Sequence, residues 1–235
     1  MTVGLIDIGT LTTTVHDASR ARVAARFDNL ESDYAEAVGA TLPLSEAGND
    51  ELPLWNVLEN RRAVRAYAKQ SISEKNLATM LKAAVEGDGA DWPSAEYPAK
   101  IELLVVAWRV EGLAQGIYQY LPAAHSLALV GPAPKQEAGG RGLVLQTEFA
   151  DAAAIVLVTG ELGAAVKQHG PWGHRNLLVR AGAAGYRLWL ASLAIGLSGT
   201  VFAGLLPRAA QRLAGLDGYR KAGLFAYAVG YAAES

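Results

Sequence analysis

The sequence predicts one sheet with helices packed on it, of α/β or α+β class, and three observations point there. Three short runs, Ile101–Val110, Ala153–Thr159 and Gly223–Tyr231, are almost wholly apolar and read as buried strands. The stretch His174–Ala194 has no proline and is apolar nearly all round. It is long enough for about six helical turns, and such a helix belongs in the interior. Strands and helices also alternate along the chain instead of segregating.

Composition narrows the class further. A chain of 235 residues makes one large domain or two small ones, and can bury a sizeable core. With 51% hydrophobic and 19% charged residues it folds. A net charge of −2 gives no electrostatic case for nucleic acid. The absence of cysteine excludes disulfides, thiolate zinc sites and cysteine nucleophiles. The first fifteen residues lack the basic start of a signal peptide. Two arginines and several glycines in the apolar stretch Asn176–Leu206 oppose a membrane span. The expectation is a soluble, cytoplasmic protein without membrane contact.

In chain order, Thr2–Val15 suits a strand or hairpin arm, and its Asp7-Ile8-Gly9-Thr10 is weakly similar to a phosphate loop of actin-like ATPases. Asp17–Val38 has helical spacing. Gly39–Pro53 has linker composition. Residues 1–53 are therefore read as an extension that contacts a partner or peptide, and 54–235 as the main domain. Leu54–Arg62 is a short helix. Ser71-Ile72-Ser73-Glu74 offers N-caps for a helix that runs through Leu77, Met80, Leu81 and Ala84 and ends at Gly87 and Gly89. Trp92–Lys100 is a loop. After the first buried strand, Gly116–Leu121 and His125–Val130 flank a turn at Pro122. Gly131–Gly142 is loop, Leu143–Ala150 helix, and Glu161–Gly173 a connection. In the long helix, Ala181–Gly185 lets another backbone approach, while Arg180 and Arg187 need partners. Pro207 opens a short helix to Leu213.

Three constellations carry chemistry. Arg61, Arg62 and Arg65 gather three guanidinium groups within five positions and suit either a phosphate clamp or a solvated basic edge. If helical, Arg61 and Arg65 share a face. Pro93, Ser94 and Ala95 form a stiff small-residue loop, either lining a flat ligand or crossing a sheet edge. Gly196–Gly204, with Gly199, Ala203 and Gly204, permits close approach to a planar group or makes a helix cap and turn.

Taken together and in this order, these motifs resemble the nitroreductase superfamily of FMN enzymes. Tyr97-Pro98 followed by IELLVVAWRVEGLAQGIYQYLPAAHSLALV is similar to its SagB-type branch, which oxidises thiazolines and oxazolines in ribosomally made peptides. The resemblance covers Leu54 to Tyr231. It implies an α+β fold, with a mainly antiparallel sheet and flanking helices around a long buried helix, in an intertwined homodimer. It assigns Arg61 and Arg62 to the FMN phosphate and ribityl chain, and Arg65 to the pyrimidine edge. Pro93, Ser94 and Ala95 are assigned to the ring, commonly from the partner subunit, and Ala203 and Gly204 to its reactive nitrogen. The substrate implied is a modified precursor peptide, with a cyclodehydratase or other modifying enzyme as possible partner.

Three departures follow. Ala63 stands where the family often has serine, and the end GYAAES carries no second phosphate cation. No Lys-Tyr pair precedes the long helix; His174 is the remaining candidate base. Two other readings stay open: an NAD(P)H-dependent nitro- or ene-reductase, and a cofactor-poor partner subunit.

Overall fold

The computed structural model describes residues 39–48, 53–136 and 143–233. The readings of Asp7–Thr10 and Asp17–Val38 lie outside them.

One seven-stranded sheet organises these residues, in the order β1-β4-β3-β2-β5-β7-β6, with every described pairing antiparallel. The strands are β1 (Thr41–Pro43), β2 (Ile101–Ala107), β3 (Gly116–Leu121), β4 (Ser126–Gly131), β5 (Ala154–Gly160), β6 (Ser198–Phe202) and β7 (Ala222–Gly230). The helices are α1 (Leu54–Asn60), α2 (Glu74–Asp91), α3 (Leu162–His169), α4 (Pro171–Ala194) and α5 (Pro207–Ala214). The α+β class with a mainly antiparallel sheet is what the structure has.

β2 and β5 are apolar at nearly every position because both faces of the sheet are covered. Leu103, Val105 and Ala107 point into one core with α2 and α4. Leu104, Val106 and Trp108 point into the other, with Phe149 and α5. The strand period of two thus sends alternate side chains into separate cores.

α4 crosses the first face and is tied to α2 by two ion pairs. Arg180 is 4% exposed, so it must be paired. Its Nε and Nη2 donate to the two carboxylate oxygens of Asp88 at 3.0 and 2.8 Å, and Nη1 donates to Ala99 O at 2.7 Å. Two turns on, Arg187 pairs with Asp91.

Several expectations need correction. Gly39–Pro53 is not all linker: Thr41–Pro43 pairs with β4, because the exposed edge of β4 can accept another strand. Glu74 then holds the segment by accepting from Ser45 N at 2.8 Å and Ser45 Oγ at 2.6 Å. The cap of α2 is Ser73, whose side chain accepts from Asn76 N at 3.1 Å. α2 does not stop at Gly87. A Cβ there would overlap Arg187, so this glycine makes room for a crossing side chain. Leu143–Ala150 is not an α-helix; it ends in a 3-10 turn from Thr147, after Val144 bridges Leu205. Glu161–Gly173 contains α3, and α4 begins at Pro171 as an N1 proline. The small run of α4 admits the Phe225 ring over Gly185, where a Cβ would collide, and not a backbone. Gly196–Gly204 contains a strand, not only a turn.

Candidate functional site

α1 ends at Asn60, and Arg61 turns extended, with φ −62° and ψ 113°. The chain then runs as a strap across one end of the sheet. Ala63 bridges Gly199 in parallel sense, and Val64 N donates to Gly199 O at 3.2 Å. Tyr67 bridges Ala232, and Ala68 N donates to Tyr231 O at 2.9 Å. Arg61 and Arg65 therefore do not share a helical face, yet the strap does bring the guanidinium cluster beside the glycine segment.

The Arg61 guanidinium carbon lies 4.6 Å from the centre of the Trp189 ring. Trp189 Nε1 is buried with no acceptor among the described residues, so an indole donor lies close to a guanidinium. Neither Arg61 nor Arg65 has a carboxylate partner among the described residues. Arg62 also makes local contacts through one nitrogen: its Nη1 donates to Glu59 O at 2.8 Å and Arg61 O at 3.1 Å, closing the end of α1 and leaving its other N–H groups for a ligand.

Behind the strap, Tyr227 and Ser192 share a 2.5 Å hydrogen bond. Tyr227 Oη lies 2.6 Å from where a Cβ on Gly199 would be, so this position needs glycine for close approach. Burial pushes the Tyr227 and Tyr67 phenols well up from their ordinary range. Both stay neutral and serve as hydrogen-bonding structure. Trp189, Ser192 and Tyr227 were missed by sequence reasoning. A core aromatic carries no local mark of the cation above it.

The other candidates lie elsewhere in the same chain. Ala203 and Gly204 follow β6, about 15 Å along the strand from Gly199. There Gly204 O accepts from Leu145 N at 2.7 Å. Pro93, Ser94 and Ala95 are exposed on a turn in which Pro93 O accepts from Glu96 N and Tyr97 N, both at 3.0 Å. That turn is braced by α3: Gln168 Nε2 donates to Glu96 O at 3.3 Å, and the Tyr97 and His169 rings are 5.6 Å apart. His174 stands half-buried in the first turn of α4. Fifteen residues separate it from Trp189, or about 22 Å of helix. Within one chain the candidate residues therefore fall in two separate places: the strap beside Trp189 and Gly199, and the Pro93–Ala95 turn with His174 near the start of α4.

The outer face of α4 joins them. Trp172, Val179 and Tyr186, seven residues apart, are 44%, 62% and 40% exposed, with Leu178 beside them at 44%. Above Gly182 there is open space. A heptad-spaced apolar seam on a helix is the pattern of a helix pairing surface.

The family to which this helix-flanked, mainly antiparallel sheet belongs is identified by sequence comparison as one of oxidoreductases. The nitroreductase family model matches residues 58–231, and the chain belongs to the nitroreductase family. A Methanocaldococcus jannaschii protein that carries the name nitroreductase is 27% identical over 175 residues, spanning 71% of this chain and 86% of that one. A nitroreductase structure from Anabaena variabilis superposes with a TM-score of 0.77 at 22% identity. The match takes in 99% of this chain and 49% of that one, so this chain spans about half the length of the Anabaena protein. The E. coli microcin synthetase McbBCD complex, with truncated pro-MccB17 bound, gives a TM-score of 0.59 at 18% identity, over 100% of this chain and 85% of that one. No helix among the described residues is long and apolar enough to cross a membrane.

Proposed function

We propose that this nitroreductase-family oxidoreductase is an FMN-dependent dehydrogenase that converts azoline rings to azoles in a modified precursor peptide, and acts as a homodimer. The observation that carries the cofactor is the strap: Arg61, with no carboxylate partner among the described residues, lies over the Trp189 ring, whose Nε1 has no acceptor among them, and Ala63, between Arg61 and Arg65, pairs with the Gly199 backbone. That donor set fits a phosphorylated, planar, anionic group. Arg61 and Arg62 would hold the phosphate and ribityl chain, and Arg65 would favour negative charge at the pyrimidine edge. Ala203 and Gly204 would present backbone at the far end of the ring. Bound FMN supplies a two-electron acceptor for the hydride that leaves the azoline carbon.

His174 would take the proton from the neighbouring ring atom, so that hydride and proton together complete the two-electron oxidation. Within one chain it is too far from the strap. The α4 seam supports antiparallel pairing of two copies, which would set His174 and the Pro93–Ala95 turn of one copy against the strap of the other. The peptide substrate, and a cyclodehydratase or similar partner, are supported by the likeness to a synthetase complex with pro-MccB17 bound.

Flavin content and product mass test this. Purified protein should be yellow and release FMN on heating, and an azoline peptide should lose two hydrogens. Arg61→Ala and Arg65→Ala should each lower FMN occupancy; unchanged occupancy in both removes the strap from the site. Yellow protein that is bleached by NADPH but leaves the azoline peptide unaltered identifies a nitro- or ene-reductase instead. Colourless protein that FMN cannot reconstitute identifies a non-catalytic partner subunit.

A further inference from the structure

A trough beside α2 is unexplained by the flavin site. It has two chambers, about 600 Å³ and about 500 Å³, that share Val85, Tyr120 and Pro122 as walls and so adjoin. Each alone has the size of a small-ligand site. Together they are elongated: the α2 wall from Lys82 to Gly89 runs about 10 Å, the reach of about three extended peptide residues.

The chambers differ in chemistry. The larger is mostly apolar, walled by Trp92, Leu103 and Leu121, and borders Ser94 of the exposed turn; of the charged groups that also line it, Asp88 is paired with Arg180 and Glu102 with Lys221, and Lys100 is exposed. The smaller presents Glu46, Glu86 and Lys82. Lys82 Nζ lies 3.7 Å from Glu86 Oε1, which leaves Glu46 without a cationic partner among the described residues. One chamber suits an apolar group and the other a cation.

Gly89 is the second observation. It lies inside α2 with no positive φ, where glycine costs about 1 kcal/mol against alanine. A Cβ on it would meet nothing within 4 Å. Gly87, two residues earlier, is needed to pass Arg187, but no packing among the described residues needs Gly89 bare. Its missing side chain leaves space on the wall of the larger chamber.

We propose that this trough binds the peptide segment flanking the reacting ring, with an apolar side chain in the chamber next to Ser94 and a basic side chain against Glu46. The assignment rests on the peptide-substrate reading above, and it adds a sequence preference to it. The Ser94 end would feed the ring toward the partner copy's strap, while the acidic end would fix the register of the peptide.

The test uses the full-length protein and a fluorescein-labelled thiazoline peptide carrying leucine and arginine at extended-chain spacing beside the ring. Fluorescence anisotropy should show saturable binding. Gly89→Phe should weaken it about tenfold or more, and Gly89→Ala, which adds only a methyl group, should not. Glu46→Lys, or a peptide with glutamate in place of arginine, should weaken it comparably. FMN absorbance should be the same in all three variants. Equal binding by Gly89→Phe and wild type, or indifference to the arginine, overturns the trough assignment. Yellow protein that binds no peptide overturns it while leaving the flavin site standing. Colourless protein that still binds with the predicted preference sustains the trough and overturns the enzyme.

Discussion

Gly199 is where packing and the candidate site meet in one residue. Its carbonyl receives the strap at Val64 N, and its α-carbon faces Tyr227 Oη and Ala228 O too closely for any side chain. Gly199→Ala must push β6 off β7 or the strap off β6. We expect destabilisation of about 1–3 kcal/mol, read from the urea midpoint, together with lower FMN occupancy. Asp88 fails differently. It neutralises an Arg180 that is almost wholly buried. Asp88→Ala leaves that guanidinium uncompensated and should cost about 3–5 kcal/mol. Replacing both residues by leucine should cost less than Asp88→Ala alone. A double variant less stable than Asp88→Ala in urea melts would show that the cost is lost packing and not stranded charge.

Among the elements, α4 does most to set the geometry. One side packs on the sheet through Leu177, Ala181, Ala184 and Leu188, while the other leaves the Trp172–Val179–Tyr186 seam exposed. If that seam joins two copies, Val179→Lys should turn a dimer into a monomer on size-exclusion chromatography, and bound FMN should fall with it. An unchanged elution volume would place the interface elsewhere. The seam also shows what the sequence could and could not tell. The apolar strands β2, β5 and β7 and the long helix were legible because burial on two sides leaves a plain hydrophobic run. α3 was not, since Leu162–His169 is too short and mixed to show a period. β6 was not, because its glycines read as a turn until β7 supplies a partner. The arginine cluster was legible as chemistry, but its conformation was not. Ala63 pairs with Gly199 across 136 residues of sequence, and no local pattern encodes that. The loop Pro93–Ala95 and His174 were visible as candidates, and their separation from the strap was hidden for the same reason.

For the molecule as a whole, the two cores enclose phenols that can ionise only at a cost. Tyr120 is pushed up to about 12 by burial and by Glu86 nearby, and Tyr67, Tyr118 and Tyr227 are raised as well, mainly by burial. In the unfolded chain these phenols titrate near 10.0, so above that pH the unfolded state loses protons that the folded state keeps. Their contribution is complete below pH 10 and is lost as pH rises toward the folded-state values. Urea midpoints should therefore be level through neutral pH and fall steeply above 10, with tyrosinate absorbance rising as the protein unfolds. An absorbance rise before unfolding large enough to include these four phenols, beyond the share of the tyrosines outside the cores, would mean that they are open to solvent.

The strap docks on the last strand and the residues after it: Tyr67 on Ala232, Ala68 on Tyr231, and Ala66 O accepting from Ala233 N at 3.0 Å. On the ribosome, the arginines emerge more than 160 residues before the strand end that positions them. A nascent chain can build most of its sheet and still offer no grip for an anionic ligand. If the strap is the proposed flavin site, cofactor capture waits for the strand that docks it, and a chain ending at Gly230 should lose flavin well before its helices melt.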